Sequence, residues 1–246
     1  MRKPKAILFD YGHTLIYETH FDLHLAGAAI YEVIENKEKV ERGEFIEKTV
    51  KLYNDLSVAR RENALEVPAT SFTRLLREYY GIEFSLSEVE LQELYWNALS
   101  PPVPMDGVAE LLQYLNDAGI KTGVISNLWY TGEVLKRRIE RLIPSSHFEI
   151  FMSTADYGFR KPNSILFDIA LKHIGIANDD AWFCGDEPEA DIDGAFRAGL
   201  TPIMIEPGIN CPYRFKDLGK PECDCIKIRR LEEIRTLIES YDSISV

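Results

Sequence analysis

The chain has 246 residues with 40 acidic and 28 basic side chains, a formal charge of −12, and 46% hydrophobic content. Such a composition buries a sizeable core, either one large domain or a core with a smaller module, and excludes disorder. The negative excess argues against nucleic acid and anionic membrane surfaces, and no apolar run approaches the ~18–20 residues of a membrane span.

The first apolar run, Ala6 to Phe9, ends abruptly at Asp10; it reads as a buried strand and is too short for a signal segment despite the basic residues before it. From about Tyr17 to Val103 only helical periodicity is present, over Phe21–Asn36, Glu44–Ala64, Phe72–Tyr80 and Glu88–Leu99, with Ser85 and Glu88 at capping-box spacing. Pro68, Gly81 and the cluster at 101–104 punctuate this stretch, which carries 9 basic against 16 acidic residues. After it, short apolar runs at Thr122–Ile125, Phe148–Met152, Ala181–Cys184 and Pro202–Ile205 alternate with helical patterns over Val108–Ala118, Glu133–Ile143, Ile165–Ile174 and Ala190–Ala198. Asp224–Ile228 reads as a final edge strand before a helix from Leu231, whereas Pro207 to Arg214 reads as a loop of no assigned purpose.

Strand and helix alternating in this way predict an α/β protein: a Rossmann-like, doubly wound parallel sheet over residues 1–16 and 104–246, interrupted by an all-helical cap domain over 17–103. A soluble, cytoplasmic protein is expected, its oligomeric state left open. Cys184, Cys211, Cys223 and Cys225 are expected to be reduced structural thiols, because their spacing matches no zinc site.

Ligands of open α/β sheets sit beyond the carboxyl ends of the strands. Asp10, Ser126 with Asn127, and Asp186 fall at such ends, and Lys161 falls in the loop before a helix. Singly each is an ordinary cap or turn residue; together they mark one site. The segment from Gly185 to Ala195 adds a run of carboxylates, of which Glu189 and Asp193 are explained by a helix N-terminus. Asp186, and after it Asp191, would converge on the crevice, where like charges call for a hard cation such as Mg²⁺.

Asp10-Tyr11-Gly12-His13-Thr14, Ser126-Asn127, Lys161-Pro162 and Gly185-Asp186…Asp191…Gly194-Ala195 resemble the four ordered motifs of the haloacid dehalogenase superfamily of hydrolases, and the helical insert resembles that family's cap. The resemblance implies an enzyme that acts on a small phosphorylated substrate through an aspartyl-phosphate on Asp10. It further implies Mg²⁺ held by Asp10, the Gly12 carbonyl and Asp186, with Asp191 as a further ligand or as a support behind the ligands. Phosphoryl oxygens would be held by Ser126, Asn127 and Lys161, with Thr14 orienting the first loop or the nucleophile.

One position departs from the phosphatase pattern. A second aspartate usually stands two residues after the nucleophile as acid and base, and here that position is Gly12. His13, a cap residue, or a substrate with a good leaving group such as an acyl phosphate would compensate. His20 and His24 read as an exposed face, and Lys136-Arg137-Arg138-Arg141 as a solvated helix face.

Three other readings compete. Metal-free dehalogenases lack the paired Asp186 and Asp191. The phosphonoacetaldehyde hydrolase branch has a small residue at the Gly12 position but needs a cap lysine, for which Lys37, Lys39, Lys48 and Lys51 are candidates. A non-catalytic binding or regulatory domain is the third.

Overall fold

The computed structural model describes residues 2–209 and 219–244. Its strands are β1 (Ala6–Phe9), β2 (Ile16–Glu18), β3 (Pro102–Pro104), β4 (Lys121–Ser126), β5 (Phe148–Ser153), β6 (Ala181–Gly185), β7 (Thr201–Ile205) and β8 (Ile226–Ile228). Its α-helices are α1 (Leu23–Glu32), α2 (Arg42–Asn63), α3 (Ala69–Tyr80), α4 (Glu88–Leu99), α5 (Val108–Asp117), α6 (Gly132–Leu142), α7 (Ser164–Ile174), α8 (Gly194–Arg197) and α9 (Glu232–Ile244).

Six strands form one parallel sheet in the order β5-β4-β1-β6-β7-β8, so the expected Rossmann-like α/β core is present. The chain winds from β1 outward through β4 and β5, then returns to β6 on the other side of β1 and winds outward again. The β1–β6 junction is thus the topological switch point, where open α/β sheets bind ligands.

Alternate residues of β1 serve the two faces, as the two-residue period of a strand requires. Ile7 and Phe9 join the core that includes Leu111, Leu115, Ile234 and Ile238 of α5 and α9. Ala6 and Leu8 join the opposite layer, with Leu166, Phe167 and Leu171 of α7. The chain therefore buries both faces, which is why its strands are continuous apolar runs.

Helices α1 to α4 lie between β2 and β3 and share their apolar cluster with the first face of the sheet. The reading that this stretch holds no strand is corrected by β2 and β3, which pair antiparallel as a separate ribbon. Three residues are too few to show alternation, and two prolines in β3 mask its strand character. Helix α1 is shorter than expected because Asp22 caps it, accepting from the amides of His24 and Leu25, and it stops at Val33. The capping box is made by Ser87 and Glu90 rather than Ser85 and Glu88. Glu88 is the first helical residue, and its carboxylate instead binds Thr73 and Arg77 at 2.7 and 2.9 Å, tying α3 to α4.

The expected helix over Ala190–Ala198 is also corrected. Pro188–Asp193 form one wide π-type turn before the short α8, a geometry that recurs at functional sites. The insert is stitched to the core by main-chain bonds from Glu66 N–H to Gly158 O (2.8 Å) and from Ala69 N–H to Trp129 O (2.7 Å). Glu66 is buried between Arg60 and Arg160 and accepts from the Thr154 hydroxyl at 2.9 Å.

Candidate active site

Three strand ends meet at the switch point. β1 delivers Asp10, β6 delivers Asp186 and β4 delivers Ser126, all nearly buried at 8%, 3% and 4% exposure. The wide turn after β6 brings in Asp191, and ligand oxygens of Asp10, Asp186 and Asp191 all lie within 4.8 Å of one another.

Lys161 closes the group from the loop before α7. Its ammonium donates to Asp10 Oδ1 at 2.7 Å, to Asp191 Oδ1 at 2.6 Å and to the carbonyl of Ile125 at 2.8 Å. Burial alone would push this lysine's pKa down, but Asp10 and Asp191 outweigh it and hold the ammonium above its ordinary range. Burial pushes the Asp191 carboxyl up, opposed by Lys161, so the two partners pull in different directions. The contacts favour the anion: Asp191 Oδ2 accepts the amides of Asp186 and Glu187, both at 3.0 Å, and its other oxygen takes the ammonium.

Glycine at 185 has a steric cause. A Cβ there would lie 2.4 Å from the Asp191 carboxylate, so the wide turn folds its carboxylate against bare backbone. Asn127 spends its side chain on the neighbouring loop, accepting from Lys161 N–H at 2.8 Å and donating to Lys161 O at 3.1 Å. This sets the direction in which Lys161 enters the site.

Thr14 is fully buried, and its Oγ1 has no hydrogen-bond partner in this structure. His13 takes a left-handed backbone conformation with φ 52°, and its amide donates to Ile16 O at 2.7 Å, closing the turn that carries Gly12. A Cβ on Gly12 would meet Asp10 Oδ2 at 3.9 Å and nothing nearer, so the place of the missing aspartate is open space beside the nucleophile candidate.

Among the described residues, the carboxylates of Asp10, Asp186 and Asp191 converge in a buried group, and the Lys161 ammonium pairs with Asp10 and Asp191. A divalent cation with oxygen ligands suits that donor set.

Two residues near the site escaped the sequence reading. Arg138, expected on a solvated face, is 1% exposed and bonds Tyr11, Asn97 and Ser100. Its neighbours in the run, Lys136, Arg137 and Arg141, do pair at the surface. The available signal was helical spacing, since Arg138 shares the apolar stripe of Val134, Leu135 and Ile139. Glu18, in β2, is pushed up to about 7 by burial, with Arg138 opposing and Asp10 adding to the rise.

Other expectations resolve outside the group. His24 pairs with Glu47 at the surface, and Asp193 is buried as the acceptor for the amides of Glu222 and Cys223. Cys184 is a buried free thiol pushed well up by burial; Cys223 and Cys225 are free and partly buried. Cys211 and residues 210–214 of the late loop lie outside the described residues. No helix among the described residues is long and apolar enough to cross a membrane.

A cluster of buried carboxylates thus lies at the switch point of a doubly wound α/β sheet. Residues 44–205 match the model of the family described as haloacid dehalogenase-like hydrolase, and the chain belongs to that family. The matched span takes in Ser126, Lys161, Asp186 and Asp191 and begins after Asp10.

Among curated proteins, the chain is similar to the ribulose-1,5-bisphosphate 5-phosphatase of Halopiger xanaduensis, 27% identical over 55% of this chain and 56% of that protein. It is similar to the glyceraldehyde 3-phosphate phosphatase of Methanopyrus kandleri along nearly the whole length, 24% identical over 96% of each. The crystal structure of a phosphatase of the same superfamily from Thermococcus onnurineus shares the fold, with a TM-score of 0.62 and 21% identity over 97% of this chain and 98% of that one.

Proposed function

We propose that the protein is a Mg²⁺-dependent phosphatase of a small phosphorylated metabolite, working through an aspartyl-phosphate on Asp10 beneath a cap formed by residues 17–103. The observation that carries this reading is the Lys161 ammonium held at once by Asp10 and Asp191, with Asp186 completing a buried cluster of three carboxylates whose oxygens lie within 4.8 Å of one another. Relatives named for ribulose bisphosphate and glyceraldehyde 3-phosphate support a short phosphorylated carbohydrate as the substrate class.

In this mechanism an Asp10 carboxylate oxygen attacks phosphorus as the P–O bond to the leaving group breaks, while Lys161 offers positive charge to the transferring oxygens. Water then attacks the aspartyl-phosphate at phosphorus, releasing inorganic phosphate and regenerating Asp10. Ser126 and the backbone at Asn127 receive the same oxygens from the β4 side. Asp10, Asp186 and the Gly12 carbonyl would hold Mg²⁺. Asp191 serves by bracing Lys161 and the 186–187 amides, because both its oxygens are already engaged. When bound, the cation neutralises the repulsion between the Asp10 carboxylate and the phosphate.

Leaving-group protonation is the step for which Gly12 offers no side chain. A substrate with a good leaving group needs no acid there, and His13 or a cap side chain supplies the proton otherwise. The Schiff-base alternative is not favoured: Lys37 pairs with Glu32, Lys39 with the Gly81 carbonyl, Lys51 with Asp55, and Lys48 lies over the Tyr79 ring.

Phosphate release from sugar phosphates, nucleotides and acyl phosphates, with Mg²⁺ and with a chelator, tests the reading. Activity on at least one class, abolished by the chelator, is expected; inactivity on all of them, or activity indifferent to the chelator, contradicts it.

A further inference from the structure

Arg138 is the most deeply buried arginine of the described residues, with three neutral acceptors fixed around it and the Glu18 carboxylate within reach of its charge. It donates from Nε to the Tyr11 hydroxyl at 2.8 Å, from Nη1 to Asn97 Oδ1 at 2.6 Å and from Nη2 to the Ser100 carbonyl at 2.5 Å. Its guanidinium also lies 4.1 Å from the centroid of the Trp96 ring. Burying a cation is costly unless several fixed partners receive it, and a planar fork reaching three acceptors is a task lysine cannot repeat.

The partners lie on both sides of the junction between core and insert. Arg138 sits on α6 of the core, and Tyr11 follows Asp10 in the first strand-end turn. Asn97 and Ser100 close α4 just before β3, and β3 with β2 carries both crossings of the chain into the insert. Trp96 stacks on Tyr130 at 4.3 Å with 12° between the rings, so the loop after Ser126 belongs to the same assembly. A rotation of the insert about the β2–β3 ribbon must break these bonds or drag the Asp10 turn with it.

We propose that Arg138 is a positioning residue that latches the helical insert onto the core and, through Tyr11, sets the Asp10 turn against it. The kinetic part of this inference rests on the phosphatase reading; the latch itself does not.

The test uses the full chain with Arg138→Met and Arg138→Lys, and with Tyr11→Phe and Asn97→Ala, each of which deletes one bond and carries the test should Arg138→Met fail to fold. Hydrogen exchange at the amides of residues 97–100, 103 and 10–14 is expected to speed up on the order of tenfold in Arg138→Met, with Arg138→Lys intermediate. On a substrate that the wild type hydrolyses, kcat is expected to fall roughly 10- to 100-fold while inhibition by inorganic phosphate changes by less than about threefold, because displacement of a reacting group costs rate before it costs affinity. A wild type inactive on every substrate removes the phosphatase reading and leaves exchange to decide the latch. Unchanged exchange in the folded variants overturns it. A kcat that survives intact while exchange rises, or that falls in step with phosphate affinity, overturns the positioning role.

Discussion

Replacing Gly12 with aspartate supplies a carboxyl at the position where the structure leaves space. The Cβ would meet only Asp10 Oδ2, at 3.9 Å, and Gly12 is not among the residues with positive φ, so the backbone accepts a side chain there. The new carboxyl lies within about 4–6 Å of Asp10, where two like charges at an effective dielectric of 20 repel by roughly 3–4 kcal/mol. That repulsion raises the carboxyl pKa toward the protonated state that a general acid needs, opposed by the Lys161 ammonium paired with Asp10 and by a bound cation. Acid–base assistance of this kind is typically worth ~10²–10⁴-fold. In parallel phosphate-release assays, Gly12→Asp is therefore expected to raise kcat on a sugar phosphate, a poor leaving group, on the order of a hundredfold, and to leave an acyl phosphate within about threefold. Equal, small effects on both substrates in a folded variant would refute the reasoning, because the missing acid would then not limit the reaction.

Lys161→Met leaves Asp10 and Asp191 buried without their shared cation, and breaking such a pair costs about 3–5 kcal/mol, readable by urea unfolding and partly restored by added Mg²⁺. A loss below about 1 kcal/mol would show that the carboxylates are not ionised together. Gly185→Ala drives a methyl into the Asp191 carboxylate, so a loss of about 1–3 kcal/mol and at least a tenfold loss of activity are expected, the latter because Lys161 moves with Asp191. Glu18 titrates near 7 in the fold and near 4.5 when unfolded, so the folded state holds its proton more tightly and stability falls as pH rises between those values. Glu18→Gln is expected to remove that fall, gaining about 2–3 kcal/mol over the wild type at pH 8 and little at pH 5, in denaturant titrations at both pH values.

Much of this site was legible because buried parallel strands break off sharply into polar residues. Phe9 into Asp10, Ile125 into Ser126 and Cys184 into Gly185-Asp186 mark where the sheet ends, and only the winding order was needed to bring the ends together. What stayed hidden was set by tertiary geometry. Nothing local announces that Asp191 tucks its carboxylate under Gly185, which turns an expected helix into a wide turn. Short β2 and β3 pair across the whole length of the insert, so neither has a partner strand nearby in sequence. Arg138 was legible in principle, but its charged neighbours Lys136, Arg137 and Arg141 disguised a residue that helical spacing places on the apolar side.

Rapid mixing of the enzyme with Mg²⁺ and a hydrolysed substrate, followed by acid quench and peptide mass spectrometry, tests the central claim most directly. A phosphoryl adduct on the peptide carrying Asp10, lost on treatment with hydroxylamine and absent from Asp10→Asn, is the predicted result. Steady turnover with no adduct on that peptide, or turnover that persists in Asp10→Asn, would contradict it.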